Sequence, residues 1–337
     1  MAIAKIVATG LYAPGKAISN EEVKKLTGVE FDSDKLENKI GIKARHIARL
    51  SNLKESTADF AEKAARAALA NAHVDPMDVG MFLVATDTPE YISPATGIIL
   101  QGRLQGSEQE ARAFDVGSSC ASFVTALDMA ARAVVTDRTL RYALVVGVYN
   151  MPAYIKDGDS FGWSIFADGA GAVLLARDEN GATGDGYIEG VSRADGTQWN
   201  FIGVYTGGTK TPVTKEVIDS GEYGFQLLQN LPGDRNVKLW PPLVLRLLEK
   251  ANVPQSAVSH YFFTQINKSV IEKVMDILGE PLDKTTMVMD RYGYTGSACV
   301  PMALHTAITE GRVKHGDLIV LVASGAGLSV GANLLRL

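Results

Sequence analysis

Short apolar runs alternate with helical patterns along the first half of the chain. The runs with the composition of buried strands are residues 3–9, 81–86, 112–116, 142–148 and 171–176. Between the first two runs, Ser56 and Asp59 form the start of a capping box, and an alanine-rich stripe then predicts a helix over 56–72. The alternation predicts an α/β fold in which helices cover the sheets.

A second set of strand-like runs follows in the C-terminal part, at residues 260–264, 286–290, 317–323 and 331–337. The order of strand, small-residue helix start, strand and strand occurs in both parts, which indicates an internal duplication. The predicted halves are residues 1–180 and 181–337. The segment 195–233 lacks clear periodicity, and irregular segments of this kind more often shape a binding site than a core.

Composition narrows the possible partners. The chain has 337 residues, of which 46% are hydrophobic and 21% charged, and its formal net charge is −5. No basic excess attracts phosphate backbones, so nucleic acid is not expected as a partner. No apolar run approaches the ~20 residues that span a bilayer, and the N-terminal residues lack the features of a signal peptide. We therefore expect no membrane partner and a cytoplasmic location.

The two cysteines, Cys120 and Cys299, are too few for a disulfide framework and form no CxxC metal pair. Cys120 follows a strand and a small-residue turn and precedes a helical pattern. Free N–H groups and the helix dipole favour a thiolate there, and the same N–H groups can stabilise an oxyanion. The alternative is a small apolar residue packed under a helix. Cys299 lacks such a turn and is predicted to pack in the core.

The five histidines offer no obvious partner for Cys120. His260 begins a predicted strand, and a role as general base would require that strand to bend. The others have the pattern of surface or helix-end residues, and no pair has metal-ligand spacing. We therefore predict no metal site.

Several motifs resemble the ketoacyl-acyl-carrier-protein synthase III family, and they occur in the family's order along nearly the whole chain. They are residues 41–48, 113–130, 142–147, 166–172 and 324–328. The resemblance implies a thiolase-like, duplicated five-layer αβαβα fold with two pseudo-symmetric halves. It also implies a homodimer that joins an acyl group from coenzyme A to a malonyl-carrier substrate, with the acyl group carried on Cys120.

The other two catalytic positions of the family differ here. In the family a histidine precedes a Gln-x-Asn sequence, and this chain has Thr264 before Gln265 and Asn267. The family's asparagine lies in an Asp-Arg-x-Gly-Asn-Thr loop, where this chain has Tyr294. The decarboxylation machinery is therefore expected to be altered. A threonine hydroxyl is no base, and an unperturbed tyrosine has a pKa of about 10, so both are expected to orient the acceptor.

Recognition of the substrates also departs from the family. The resemblance gives the second oxyanion N–H to Ala326, between Gly325 and Gly327. The helix after Asn267 is nearly balanced in charge, so an acyl carrier protein is only weakly supported as a partner. In the family, a tryptophan and an arginine lie near the nucleotide end of coenzyme A. The corresponding positions in this chain fall near Lys35 and Lys39.

A set of large apolar residues falls where the resembling family builds its acyl tunnel and dimer contact, and as a set it suggests a medium or bulky acyl group. They are Ile92, Tyr149, Met151, Phe161, Trp163 and Phe166. Acyl-CoA is expected as a substrate, and no cofactor is expected. The predicted substrate-binding residues are Ile92, Met151, Phe166, Asn267, Gly325 and Gly327.

Three hypotheses follow. The first is an acyltransferase that forms an acyl-thioester on Cys120 from an acyl-CoA or acyl-carrier donor, with Thr264, Tyr294 and Ala326 as the other catalytic residues. Its second step is either a carbon–carbon condensation with altered or reduced decarboxylation, or transfer of the acyl group to oxygen, nitrogen or sulfur. The second is a non-catalytic or reduced-activity subunit that completes a heterodimer. The third is an ordinary ketoacyl synthase III in which Thr264 and Tyr294 substitute directly.

Overall fold

The structure is a computed structural model that describes residues 2–182 and 184–337. Its strands are β1 (Ile3–Tyr12), β2 (Ile18–Ser19), β3 (Ala44–Arg45), β4 (Val79–Ala85), β5 (Arg112–Val116), β6 (Tyr142–Tyr149), β7 (Gly169–Asp178), β8 (Gly186–Gln198), β9 (Ile202–Val204), β10 (Phe225–Leu227), β11 (His260–Phe263), β12 (Leu318–Gly325) and β13 (Gly327–Arg336). Its α-helices are α1 (Asn20–Thr27), α2 (Ser33–Lys35), α3 (Thr57–Ala72), α4 (Thr96–Gln105), α5 (Ser122–Thr136), α6 (Ser160–Ile165), α7 (Lys215–Asp219), α8 (Arg235–Ala251), α9 (Lys268–Leu278), α10 (Met289–Tyr292) and α11 (Cys299–Thr309).

All five strands predicted in the first half are present, and they form one mixed sheet. Its order is β1-β7-β6-β4-β5, with β4 parallel to both β5 and β6, and β7 antiparallel to β6 and β1. The predicted helix is α3, and the Ser56 N–H donates to the Asp59 carboxylate at 2.8 Å, as a capping box requires.

The second sheet repeats this order with one strand fewer. Its order is β8-β13-β12-β11, with β11 parallel to β12 and the two remaining pairs antiparallel. The strands β8, β13, β12 and β11 therefore correspond to β1, β7, β6 and β4. The two sheets thus have the pseudo-symmetry that the sequence predicted.

The strand predicted at 286–290 is wrong, and a buried side chain explains why. The Gln265 amide donates to the Thr286 carbonyl at 3.2 Å, and the Val288 N–H donates to its oxygen at 2.8 Å. The Gln265 side chain therefore occupies the backbone carbonyl and N–H groups that a fifth strand would use to pair with β11. Only a bridge between Tyr261 and Thr285 remains of the pairing, and the chain then turns into α10.

The helices complete a five-layer arrangement. Helices α5 and α11 lie between the two sheets and contact strands of both, while α3 and α4 cover the outer face of the first sheet and α8 covers that of the second, with α9 packed on α8. Residues 119–136, which include α5, are apolar and long enough to cross a membrane by length and composition, and half of them are buried in this central layer. The position between two sheets accounts for this apolarity.

The irregular segment 195–233 contains short elements and reaches the other half. Strands β9 and β10 pair with one another, and α7 lies between them in the chain. Phe225 of β10 packs against Phe166, with ring centroids 4.9 Å apart. The segment therefore contributes to the wall described next.

Candidate active site

A cavity of about 310 Å³ opens beside Cys120 and is lined by residues of both halves. Three helices begin at this cavity. Cys120 lies in the 3₁₀ turn Ser119–Ala121 that leads into α5, Arg235 is the first residue of α8, and Asn267 is the N-cap of α9. Because helix N-termini carry free N–H groups and partial positive charge, the cavity favours a developing negative charge.

The turn that carries Cys120 is closely packed. Ser119 has φ of 50°, a left-handed conformation that is uncommon for a residue with a side chain. Gly325, at the end of β12, lies against this turn: a Cβ added there would be 2.5 Å from the Ser118 carbonyl and 2.9 Å from the Cys120 N. The β12 end and the cysteine turn therefore fit only with glycine at position 325.

The resting cysteine is a thiol, which differs from the expected thiolate. Burial, and next the Asp87 carboxylate, raise the pKa of Cys120 to about 12, while hydrogen bonds from Tyr294 and Ser119 act in the opposite direction. The loss of water around the sulfur raises the thiol pKa by more than the helix N-terminus and the hydrogen-bond donors lower it. The reason is that burying a charged thiolate costs more free energy than these donors supply. A group must therefore take the thiol proton when the nucleophile is used.

Thr264 and Tyr294 both line the cavity together with Cys120. Thr264 follows β11, and its hydroxyl oxygen accepts the Ser324 N–H at 3.1 Å. Tyr294 is held by the backbone, since its N–H donates to the Ile165 carbonyl at 3.1 Å. Burial raises the pKa of Tyr294 well above its usual value, so its hydroxyl stays a donor at neutral pH.

Part of the cavity wall is apolar and aromatic, and its Tyr149 and Phe166 rings pack against Tyr294. It includes the predicted residues Met151 and Phe166, and also Tyr149, Phe161 and Phe225. The Phe161 and Phe225 rings are stacked with centroids 6.0 Å apart, and the Tyr149 and Phe166 rings are also 6.0 Å apart. Such a wall suits an apolar ligand.

Two predicted binding residues lie outside the cavity lining. Ile92 is 83% exposed, so the monomer's cavity does not include it. Gly327 follows Gly325 and Ala326, which do line the cavity, but begins β13 itself. Asn267 lines the cavity, and its side-chain oxygen caps α9 by accepting the Ser269 N–H at 3.0 Å.

Several residues that line the cavity were not predicted from the sequence, among them Asp87, Arg235, Asn236 and Phe225. Asp87 accepts a hydrogen bond from the Ser119 hydroxyl at 2.8 Å, and Asn236 accepts one from the Ser324 hydroxyl at 2.9 Å. Asp87 lies just after a strand and Asn236 lies at the start of a helix, and these positions were the available sequence signal for a site residue. Neither residue belongs to a recognisable motif.

The residues predicted to be structural are in the core. Cys299 is buried, and its sulfur accepts the Gln265 N–H at 3.4 Å. His260 is buried in β11 and shares a hydrogen bond of 2.8 Å with the Thr286 hydroxyl. His46 and His305 are half-buried rather than at the surface. Among residues 2–182 and 184–337, no group of three or more potential metal ligands comes together.

Comparison with known proteins agrees with this architecture. Family models described as 3-oxoacyl-[acyl-carrier-protein] synthase III and as the C terminal of that enzyme match residues 114–196 and 248–337. The chain is 32% identical over 336 residues to beta-ketoacyl-[acyl-carrier-protein] synthase III of Natranaerobius thermophilus, with 100% of both chains covered. It is 33% identical over 336 residues to the protein of that name from Thioalkalivibrio sulfidiphilus, again with 100% of both covered.

Solved structures of similar proteins have the same fold. The 3-oxoacyl-[acyl-carrier-protein] synthase III of Aquifex aeolicus VF5 superposes with a TM-score of 0.84 at 29% identity, covering 99% of this chain and 100% of that one. The priming beta-ketosynthase of the R1128 polyketide pathway gives a TM-score of 0.87 at 26% identity, covering 99% and 96%. The predicted thiolase-like fold is therefore confirmed. With relatives above 30% identity along its whole length, the chain belongs to the 3-oxoacyl-[acyl-carrier-protein] synthase III family.

Proposed function

We propose that the protein is a condensing enzyme of the ketoacyl synthase III type in which Cys120 receives an acyl group from an acyl-CoA. The observation that carries the proposal is the position of Cys120. Its sulfur lies in the turn before α5, beside an apolar cavity, with the Tyr294 hydroxyl as a hydrogen-bond donor. A nucleophile with a hydrogen-bond donor beside it and an apolar cavity next to it suits attack on a thioester.

In the first half-reaction, the Cys120 sulfur attacks the thioester carbonyl carbon, and coenzyme A leaves as its thiol. The N–H groups of Cys120 and Ala326 are proposed to bind the oxyanion. The close approach of Gly325 to the cysteine turn supports this role for the neighbouring Ala326. The reaction requires no cofactor, because acyl-CoA is itself the substrate.

In the second half-reaction, Thr264 and Tyr294 replace the family's histidine and asparagine and orient the acceptor. Neither serves as a base, because burial raises the pKa of Tyr294 and a threonine hydroxyl is not basic. Arg235 supports an acceptor with a negative charge: it lines the cavity, its guanidinium donates to the Gln198 side-chain oxygen at 3.5 Å, and no carboxylate among the described residues forms an ion pair with it. A carboxylated thioester of the malonyl type has this charge.

The aromatic wall supports a medium or bulky acyl group rather than acetyl, since Phe161, Phe166 and Phe225 present a continuous apolar surface. On α9, Lys268 pairs with Glu272 at 3.6 Å, so this helix offers little net positive charge to an acidic carrier protein. Acyl-CoA is therefore the proposed acyl donor. A carrier protein, if one takes part, would carry the acceptor substrate.

A homodimer is proposed as the working form. Ile92 and Tyr91 are 83% and 58% exposed, which leaves adjacent large apolar side chains for a partner chain to cover. Mass measurement in solution tests this. A chain that is monomeric alone, and that is active only with a different subunit, would replace the proposal with the heterodimer hypothesis.

Intact-protein mass spectrometry after incubation with acyl-CoA thioesters of increasing chain length tests the first half-reaction. We expect one acyl adduct on the wild type and on the Cys299→Ala variant, and none on Cys120→Ala. An adduct that survives Cys120→Ala, or no adduct from any thioester, would refute the proposed nucleophile. Release of labelled carbon dioxide from a malonyl thioester would then show whether the condensation is decarboxylative.

A further inference from the structure

A buried carboxylate lies next to the nucleophile. Asp87 follows β4 and lines the cavity together with Cys120. Its Oδ2 accepts a hydrogen bond from the Ser119 hydroxyl at 2.8 Å, and the Ser119 Oγ lies 3.8 Å from the Cys120 sulfur. The other oxygen, Oδ1, is buried with no hydrogen-bond partner among the described residues. The carboxylate is therefore linked to the nucleophile through a single hydroxyl group.

We propose that Asp87 accepts the proton of Cys120 through the Ser119 hydroxyl and so activates the nucleophile. The inference rests on the proposed function, since it supplies the base that an acyl-accepting thiol needs. The family's histidine is absent, and Thr264 and Tyr294 cannot take its place as bases. Asp87 acts through Ser119, so it is a positioning and proton-accepting residue rather than one that contacts the acyl group.

Two protons move when the relay forms the thiolate. The thiol proton passes to the Ser119 oxygen while the Ser119 proton passes to Asp87 Oδ2, which leaves a thiolate and a neutral carboxylic acid. The thiolate forms the new carbon–sulfur bond to the acyl carbon, and the bond to the sulfur of coenzyme A breaks. The leaving thiolate takes the proton from Asp87, so the carboxylate is restored and coenzyme A departs as a thiol.

The electrostatics of the site suit such a relay. Burial raises the pKa of Asp87, and burial together with Asp87 raises the pKa of Cys120. Two buried anions side by side repel, whereas transfer of the proton leaves a single negative charge in the cavity throughout. Ser119 is held at φ of 50° in the turn, with its hydroxyl directed to both groups.

The other titratable groups that face the pair do not replace Asp87. Tyr149 and Tyr154 face Asp87, and burial raises the pKa of both phenols, so they remain neutral at pH 7. Glu90 faces Tyr154, and its carboxylate accepts hydrogen bonds from Ser56 Oγ and the Ala58 N–H, both at 2.8 Å, at the start of α3.

Tyr294, Cys299 and Arg235 face Cys120. Burial raises the pKa of Tyr294 and of Cys299, so neither is a base at neutral pH. Arg235 is a cation that attracts the negative charge whether it resides on Asp87 or on the sulfur. Among these neighbours, Asp87 is the group that can receive the proton.

The test measures alkylation of Cys120 by iodoacetamide between pH 6 and 10, followed by peptide mass spectrometry. If Asp87 is the base, Asp87→Asn should slow alkylation near pH 7 by about tenfold or more. The rate contribution of a general base is typically ~10²-fold or larger. Above about pH 9 the same variant should react faster than wild type, because loss of the carboxylate lowers the thiol pKa. The two profiles should therefore cross.

A merely electrostatic or structural role predicts otherwise. If Asp87 only repels the thiolate, Asp87→Asn reacts faster at every pH; if it only supports the fold, the loss is uniform across the range. Either result overturns the proposal. The assay needs no acyl substrate, so a failed acyl-adduct experiment together with crossing profiles would reject the proposed function and retain the relay.

Ser119→Gly provides a second variant, because glycine adopts positive φ without strain and its substitution removes the hydroxyl together with Cβ. It should lose alkylation rate near pH 7 and show no gain at high pH, since Asp87 is still present. A wild-type profile in Ser119→Gly would contradict the relay. Asp168→Asn is the matched control: Asp168 is another buried carboxyl, outside the cavity lining, and its replacement should leave the Cys120 profile unchanged.

Discussion

At the scale of single residues, burial decides which form of an ionisable group the fold tolerates. Asp168 is 1% exposed, and its Oδ2 accepts the Ala48 N–H at 2.7 Å while Oδ1 has no partner among the described residues. Burial raises the pKa of this carboxyl to about 8. The folded protein therefore holds the Asp168 proton more tightly than the unfolded chain does.

This pKa predicts a pH-dependent free energy of unfolding. Because the folded pKa lies above the unfolded value of about 3.9, the contribution is complete below pH ~4 and is lost as pH rises toward 8, by up to about 1.4 kcal/mol per pH unit. Asp168→Asn should flatten this decline, as measured by urea unfolding at pH 5, 6 and 7. Asp178→Asn, at a surface carboxyl paired with Lys5, should keep the wild-type slope. Equal slopes in wild type and Asp168→Asn would contradict the prediction.

Residue patterns predicted part of the site. The motifs pointed to Cys120, Thr264 and Tyr294, and all three line one cavity. Asp87 was missed because its relation to Ser119 depends on two strand ends meeting in space and on burial, neither of which a local pattern contains. The protonation of Cys120 was also mispredicted, since the helix N-terminus could be inferred locally but the loss of water could not.

At the scale of elements, the end of β12 and the turn before α5 fit together through one glycine. A Cβ at position 325 would overlap the Ser118 carbonyl and crowd the Cys120 N. We expect Gly325→Ala to lower the free energy of unfolding by about 1–3 kcal/mol, as overpacking does, and to reduce acylation of Cys120 by displacing the turn.

Gly102→Ala is the matched control for that prediction, because Gly102 lies in α4 and a Cβ there would meet no atom within 4 Å. It should stabilise the protein by roughly 0.5–1 kcal/mol and leave acylation intact. Thermal unfolding and acyl-adduct formation measure both effects. Wild-type stability and acylation in Gly325→Ala would show that the turn can move aside.

Elements were predicted well where their backbone hydrogen bonds follow from a repeating pattern. The eight confirmed strands and α3 have apolar runs or a capping box that act locally. The segment 286–290 has a similar apolar run, but the buried Gln265 amide takes its backbone partners. A side chain more than twenty residues away thus decided the outcome, and no local pattern reveals it.

At the scale of the whole molecule, the two halves share their central layer. Helices α5 and α11 each contact strands of both sheets, so neither sheet can open without exposing apolar surface of a helix that serves the other. We therefore expect the halves to unfold together rather than as separate domains.

Tryptophan fluorescence can test this. Trp163 in α6 reports on the first half and Trp240 in α8 on the second, while Trp199 is exposed between them. In two variants that keep only Trp163 or only Trp240, with phenylalanine at the other positions, urea midpoints should coincide within error. A transition at Trp163 that clearly precedes or follows the one at Trp240 would show that the halves open separately.

The raised pKa of Cys120 has a consequence for chemical durability. Peroxide oxidises thiolates, first to sulfenic acid and then irreversibly to sulfinic and sulfonic acids. A sulfur that stays protonated at rest presents little thiolate to peroxide, so it is a poorer target for this damage than a cysteine that rests as a thiolate. The burial that makes the nucleophile hard to ionise would therefore also preserve it under oxidative stress.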